Sequence, residues 1–122
     1  MRKTPFATLL VAVAAMSALA VPQRKPTPVT VSYAKTVKPI LDRNCIGCHS
    51  GSTPAHHLDL TSYAKVMKGD HEGKVVVPKK VATSRLAIFI HRKDNRKMPP
   101  SQSLSAAEQK AIDAWINAGA KP

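Results

Sequence analysis

The chain has 122 residues, 43% hydrophobic but only 4% aromatic, which is enough for one small domain with a core that is marginal without help. Its 19 Lys and Arg outnumber 7 Asp and Glu, giving a formal charge of +12, so cationic partners are excluded in favour of acidic or anionic ones. Both of its 2 cysteines fall in one short motif, leaving none for a disulfide framework or a four-cysteine zinc site.

Residues 1–20 have the layout of a secretory signal. Arg2 and Lys3 form a positive start, Phe6 to Ala15 is apolar apart from Thr8, and Ala18-Leu19-Ala20 fits a small-x-small cleavage pattern. Cleavage is expected near Ala20, with a periplasmic or otherwise exported product. The competing reading is a retained anchor, but the apolar stretch falls short of the ~20 residues that span a bilayer. Taking Arg2 and Lys3 from the 19 basic residues leaves 17 against 7 acidic ones, a mature charge of +10. An exported protein rarely meets nucleic acid, and no nucleic-acid motif is present. An acidic protein partner and an anionic membrane surface remain.

Residues 21–31 hold Pro22, Pro26 and Pro28 among polar and basic residues and read as an extended tether. The remaining domain is 32–122. From Ser32 to Asn44, Tyr33, Val37, Ile40 and Leu41 form the stripe of an amphipathic helix. Pro39 lies within it, so either the helix kinks there or a turn precedes a helix starting near Pro39.

Then comes Cys45-Ile46-Gly47-Cys48-His49. C-x-x-C-H is the attachment sequence of c-type haem. Two thiols three positions apart reach the two vinyl groups of one porphyrin edge as thioethers. The turn between them brings His49 under the iron as proximal ligand. Gly47 suits a tight turn. A redox dithiol and half of a zinc site are the competing readings of the same pair.

Ser50 to His57 should be a loop, with His56 and His57 exposed or bonded to a haem propionate. Leu58 and Leu60 are expected on the haem. Thr61 or Ser62 caps a short helix through Lys68, ended by Gly69, with Tyr63, Val66 and Met67 inward. Asp70 to Gly73 is a polar turn in which His71 is solvated, and Lys74 to Pro78 is extended. Ser84 is placed to cap Arg85 to His91, although periodicity alone allows a buried strand there. A basic loop, Arg92 to Lys97, leads to Met98-Pro99-Pro100. The clearest helix follows: Ser105-x-x-Glu108 is a capping box, Ile112, Trp115 and Ile116 are its buried face, and Gly119 its stop.

An electron-transfer haem needs a sixth ligand, and the mature chain offers two methionines. Packing explains Met67 on the apolar side of a helix. Met98 sits in a loop, and Pro99 pushes it toward an extended backbone. Met98 is therefore the expected distal ligand, with His91 as its main competitor.

These stretches carry a resemblance. Val37-Lys-Pro-Ile-Leu41, Cys45 to His49, Leu58-Asp-Leu60, Val77-Pro78, Ser84-Arg-Leu86 with Ile90, Met98-Pro-Pro100, and Leu104-Ser105 through Trp115-Ile116 to Gly119-Ala120 resemble small monohaem class I cytochromes c, closest to the planctomycete-type cytochrome c domain. The resemblance implies an all-α fold of about four short helices around one haem c, covalent through Cys45 and Cys48, with His49 and Met98 as iron ligands. Lys79-Lys80 departs from the pattern, since similar proteins often place Gly and an acidic or polar residue there. The implied function is electron transfer by a separate carrier rather than an enzyme. A haem with an openable sixth site, acting as peroxidase or small-ligand sensor, is the alternative. Lys79, Lys80, Arg92, Lys93, Arg96 and Lys97 are expected near the haem edge as a docking ring for an acidic redox partner.

Overall fold

The computed structural model describes residues 30–122. The predicted leader (1–20) and nearly all of the predicted tether (21–31) lie outside the described residues. Among the described residues there are four α-helices and no strand, and no helix is long and apolar enough to cross a membrane.

Ser32 opens the first helical segment, its Oγ accepting the Lys35 N–H at 3.4 Å. A π-helical turn, Tyr33–Val37, runs directly into α1, Lys38–Asn44. Pro39 falls in the first turn of α1, where its fixed φ suits the helix although it can donate no bond to the turn before it. The proline is thus absorbed by a change of helical type, with the Lys38 N–H reaching back to the Tyr33 carbonyl.

Ser62 caps α2, Tyr63–Lys68, and Gly69 ends it at φ 84°. A Cβ on Gly69 would lie 2.1 Å from the Gly73 carbonyl oxygen, so glycine is required for the Asp70–Gly73 turn to close. Two hydrogen bonds, 3.0 and 3.1 Å, join those two residues. Val75 and Val76 then pass through the core in a non-helical stretch that bends at Val75.

Arg85–His91 is helical and forms α3, which resolves the choice left open by its periodicity. Leu86, Ala87 and Ile90 face inward. Ser84 precedes α3 but makes no side-chain cap. Its fully buried Oγ accepts the Val77 N–H at 2.9 Å and donates to the Lys80 carbonyl at 2.8 Å. Burial of Ser84 explains the change of role: its enclosed hydroxyl needs partners, and the exposed turn over 77–80 supplies them, which ties that turn to the start of α3.

α4, Ala106–Asn117, has the full capping box between Ser105 and Glu108. Ile112, Trp115 and Ile116 are buried, and Trp115 is 0% exposed. Tyr33 packs edge-on against Tyr63 with ring centres 5.3 Å apart, and against Trp115 at 5.5 Å. The last residues are latched to this cluster. The Trp115 indole N–H donates to the Lys121 carbonyl at 2.7 Å, and the Tyr63 hydroxyl to the Ala120 carbonyl at 3.0 Å. The Tyr33 hydroxyl is buried with no hydrogen-bond partner among the described residues. Burial, helped by the charge of Asp42, pushes its pKa up to about 12.

The departure at Lys79 has a structural counterpart. Lys79 adopts φ 65°, a left-handed conformation that glycine accepts without cost and L side chains resist. Its N–H donates to the Ile116 carbonyl at 2.7 Å, an acceptor at the end of α4 that also takes the Gly119 N–H at 3.0 Å. Its side-chain stem lies over Gly119.

Candidate functional site

Helix α1 delivers the first cysteine. Cys45 is its C-cap, with its N–H on the Leu41 carbonyl at 2.8 Å. The Cys45 carbonyl then accepts the N–H groups of Cys48 at 3.2 Å and His49 at 3.0 Å. One tight turn therefore carries both thiols and the imidazole. Gly47 is not what makes it possible: its backbone is outside the left-handed region, and an added Cβ would meet nothing within 4 Å.

Below this turn the chain wraps His49 from several sides. The Ser50 hydroxyl donates to the Ile46 carbonyl at 2.6 Å, and the Ala55 N–H to the Cys48 carbonyl at 2.9 Å. The Leu60 N–H reaches the His49 carbonyl at 2.9 Å. His49 Nδ1 lies 3.1 Å from the Leu58 carbonyl. A carbonyl can only accept, so Nδ1–H is the donor, which makes Nε2 the nitrogen available to a metal. A backbone partner on the far nitrogen is the usual support of a ligating histidine.

Cys45, Cys48, His49 and Met98 all line one cavity of about 700 Å³. Most of its wall is apolar, with Leu58, Leu60, Val75, Leu86, Phe89 and Ile90 contributing. Met98 reaches that wall from the loop after α3. Its N–H donates to the Phe89 carbonyl at 3.0 Å, and Pro99 behind it is buried. Met67 is half-buried against the core and does not line the cavity. His91 is exposed, sits 2.9 Å from Asp113, and is also absent from the wall. Of the loop histidines, His56 faces the cavity and His57 does not. His57 and His71 pack edge to face at 5.5 Å. Lys79 and Lys80 do not line the cavity, and the Lys79 backbone is bonded to the end of α4.

The two thiols differ. Cys48 is exposed, whereas Cys45 is half-buried. Burial, with the Glu108 charge adding, pushes the Cys45 thiol up to about 11. A thiol held protonated is a poor redox nucleophile, so Cys45 is not suited to be the attacking thiol of a redox pair. Zinc finds too few ligands as well: among the described residues no three His, Cys, Asp or Glu side chains come together as a metal site. Two free thiols and an imidazole with its Nε2 open fit a haem. So do an apolar wall and a thioether sulfur on it.

Three charged residues of the wall were not legible in the sequence. Arg85 holds Asp70 through both carboxylate oxygens, at 2.6 and 3.0 Å, Glu72 at 2.7 Å and the Gly73 carbonyl at 3.0 Å. Burial pushes the Asp70 carboxyl up, but the Arg85 hydrogen bonds and the Glu72 N–H outweigh it and hold it below its usual range. No spacing pattern joins positions 70, 72 and 85; only the packing of the turn on α3 does. Asn95 and Arg96 also face the cavity.

Residues 45–102 match a family model described as Planctomycete cytochrome C. Neither the curated proteins nor the solved structures compared with the chain give a match.

Proposed function

We propose that this chain, which carries a cytochrome c-type domain and with it a haem-based electron-transfer function, moves one electron at a time on a single haem c. In this reading Cys45 and Cys48 hold the haem covalently, and His49 and Met98 are its axial ligands. One observation carries the reading: the two thiols, the imidazole with Nδ1 fixed to Leu58, and the Met98 thioether all line the same apolar cavity.

When bound, the haem supplies an iron that alternates between the ferric and ferrous states. The residues around it set how readily it does so. Leu58 accepts the Nδ1 proton and orients the imidazole. The Met98 sulfur favours ferrous iron and raises the potential. Leu60, Leu86, Phe89 and Ile90 exclude water, which disfavours the more charged ferric state. Were His49 and Met98 both to hold the iron, no open position would be left for peroxide or substrate, and the protein would act as a carrier rather than an enzyme.

Export belongs to the same proposal, with residues 1–20 as a signal removed near Ala20 and a periplasmic or otherwise exported product. Its partners are acidic redox proteins, with an anionic membrane surface as a further docking place. The basic residues that favour this are those of one loop: Arg96, which lines the cavity, and its neighbours Lys93 and Lys97, which do not. Steering by such charges weakens with salt, since screening acts over about 8 Å at physiological ionic strength. The electron-transfer rate with an acidic partner should fall steeply with salt. Lys93→Gln should flatten that slope more than Lys110→Gln with Lys121→Gln.

A pyridine haemochrome spectrum together with the visible spectrum of the oxidised protein tests the assignment. Covalent haem c with the far-red sulfur-to-iron band is the expected result. Covalent haem without that band would remove Met98, and a colourless protein would remove the whole reading.

A further inference from the structure

The proposed haem brings two propionate carboxylates, and the motif says nothing about what receives them. Cys45 and Cys48 hold the vinyl edge, so the carboxylates lie at the opposite edge of the ring. Charged hydrogen-bond donors on the cavity wall are the groups that match them.

Two arginines line the cavity, Arg85 and Arg96. Arg85 has no terminal donor to spare. Its Nη1 and Nη2 make four hydrogen bonds, to the two oxygens of Asp70, to Glu72 and to the Gly73 carbonyl. That accounts for all four of its terminal N–H groups. Asp70 and Glu72, which also face the cavity, outnumber it in charge and would repel a further carboxylate. His56 and His71 face the cavity too. The nitrogens of an imidazole point apart, so neither ring can grip one carboxylate with two parallel bonds.

Arg96 is in the opposite condition. The acid beside it is Asp94, at 3.9 Å, beyond hydrogen-bond reach. Both Asp94 oxygens are already held by the Arg92 guanidinium. The guanidinium of Arg96 makes no hydrogen bond among the described residues, and its side chain is 70% exposed at the cavity lip. Asn95 next to it also lines the cavity.

Resting on the haem reading above, we infer that Arg96, with Asn95 beside it, is the anchor of a haem propionate. Arg96 is thereby a positioning residue for the cofactor and a fixed positive charge that disfavours the ferric state. The anchor also places the propionate edge against the loop that carries Met98, so one short segment grips the ring from its edge and from its distal face.

The test uses holoprotein and reads the propionate bending band in the resonance Raman spectrum, which rises in frequency with hydrogen bonding, and the reduction potential at neutral pH. Arg96→Ala should move the band to lower frequency and lower the potential, with the visible spectrum unchanged. Arg96→Lys keeps the charge and one donor, and should recover most of the potential and part of the band shift. Lys93→Ala removes the same charge from the same loop at a position that does not line the cavity, and should leave the band where it is. An unmoved band in Arg96→Ala, or an equal shift in Lys93→Ala, would overturn the anchor. So would a shift in His71→Ala without one in Arg96→Ala. If those variants carry covalent haem, the electron carrier stands and only the anchor falls; if the parent carries none, both fall together.

Discussion

The two faces of the cavity are held in different ways. On the proximal face, His49 is fixed within a single local stretch. The bonds among Cys45, Cys48, Ser50, Ala55, Leu58 and Leu60 span at most a dozen or so positions. On the distal face, Met98 depends on one hydrogen bond to Phe89 in another element and on the burial of Pro99. The loop before it is tied internally, with the Lys97 N–H on the Asp94 carbonyl at 3.1 Å and the Lys97 ammonium on the carbonyls of Pro99 and Pro100, both at 3.2 Å. A locally closed face survives loosening of the rest of the protein. A face that hangs on one hydrogen bond does not. Under the proposed haem reading, Met98 is therefore the ligand expected to detach first.

The largest effect comes from removing the proximal attachment. Cys45→Ala with Cys48→Ala should abolish covalent haem, and a denatured, solvent-extracted sample should show no haem-staining band. Haem-free protein should also lack a sharp two-state melt, because so few large side chains line the core.

Next in size is the distal face itself. Met98→Ala should erase the far-red band, lower the potential and admit added imidazole while leaving the haem covalently bound. Met67→Ala should leave the spectrum alone and cost about 2 kcal/mol of stability, at the low end for a methionine that is only half-buried. Equal spectral changes in both variants would remove the distinction between core and cavity methionine.

Acid sharpens the comparison further, because each face has one strongly held carboxylate. Asp94 is lowered to about 2, first by the hydrogen bonds of Arg92 and also by the Arg96 N–H. Asp59, between Leu58 and Leu60, is lowered to about 2 by Lys65 and by Thr61. A carboxyl whose folded pKa lies below its unfolded value of about 3.9 adds stability that is complete above that value. The stability is lost as pH falls toward the folded pKa, so the window runs from about pH 4 down to about pH 2 for both. The far-red band should fade within that window, ahead of any loss of the proximal ligand. Asp94→Asn should flatten the fading, and Asp59→Asn should not.

The smallest effect is a control remote from both faces. Lys79→Gly should relieve the left-handed backbone at φ 65°. The relief is partly offset by glycine's greater freedom in the unfolded chain, leaving a gain of about 0.5 kcal/mol. Denaturant midpoints would read it, and the haem spectrum should not change. A loss of stability instead would mean that the Lys79 stem over Gly119 contributes more than the strained backbone costs.

Much of the fold was legible in the residues because the signals are local. The Ser105–Glu108 capping box, the Ser62 cap and Gly69 stop of α2, and the buried stripe Ile112, Trp115 and Ile116 stand where their patterns put them. Each rests on contacts within one or two turns of helix, which spacing encodes. The same holds for Cys45, Cys48 and His49, whose common turn is closed by one carbonyl.

What only the tertiary structure decided lies between elements. Ser84 has the residue type and position of a helix cap, yet it bonds the Val77–Lys80 turn because burial puts that turn's polar groups against its hydroxyl. The basic pair Lys79-Lys80 reads as a surface charge run, but its backbone closes the end of α4. Arg85 and Arg96 are the same residue type in the sequence. Packing spends every terminal donor of one on Asp70, Glu72 and Gly73 and leaves the other uncommitted at the cavity lip. Spacing along a helix or turn specifies which groups meet within that element. Which charges are neutralised, and which remain free to bind, depends on neighbours that are distant in the chain and close only after folding.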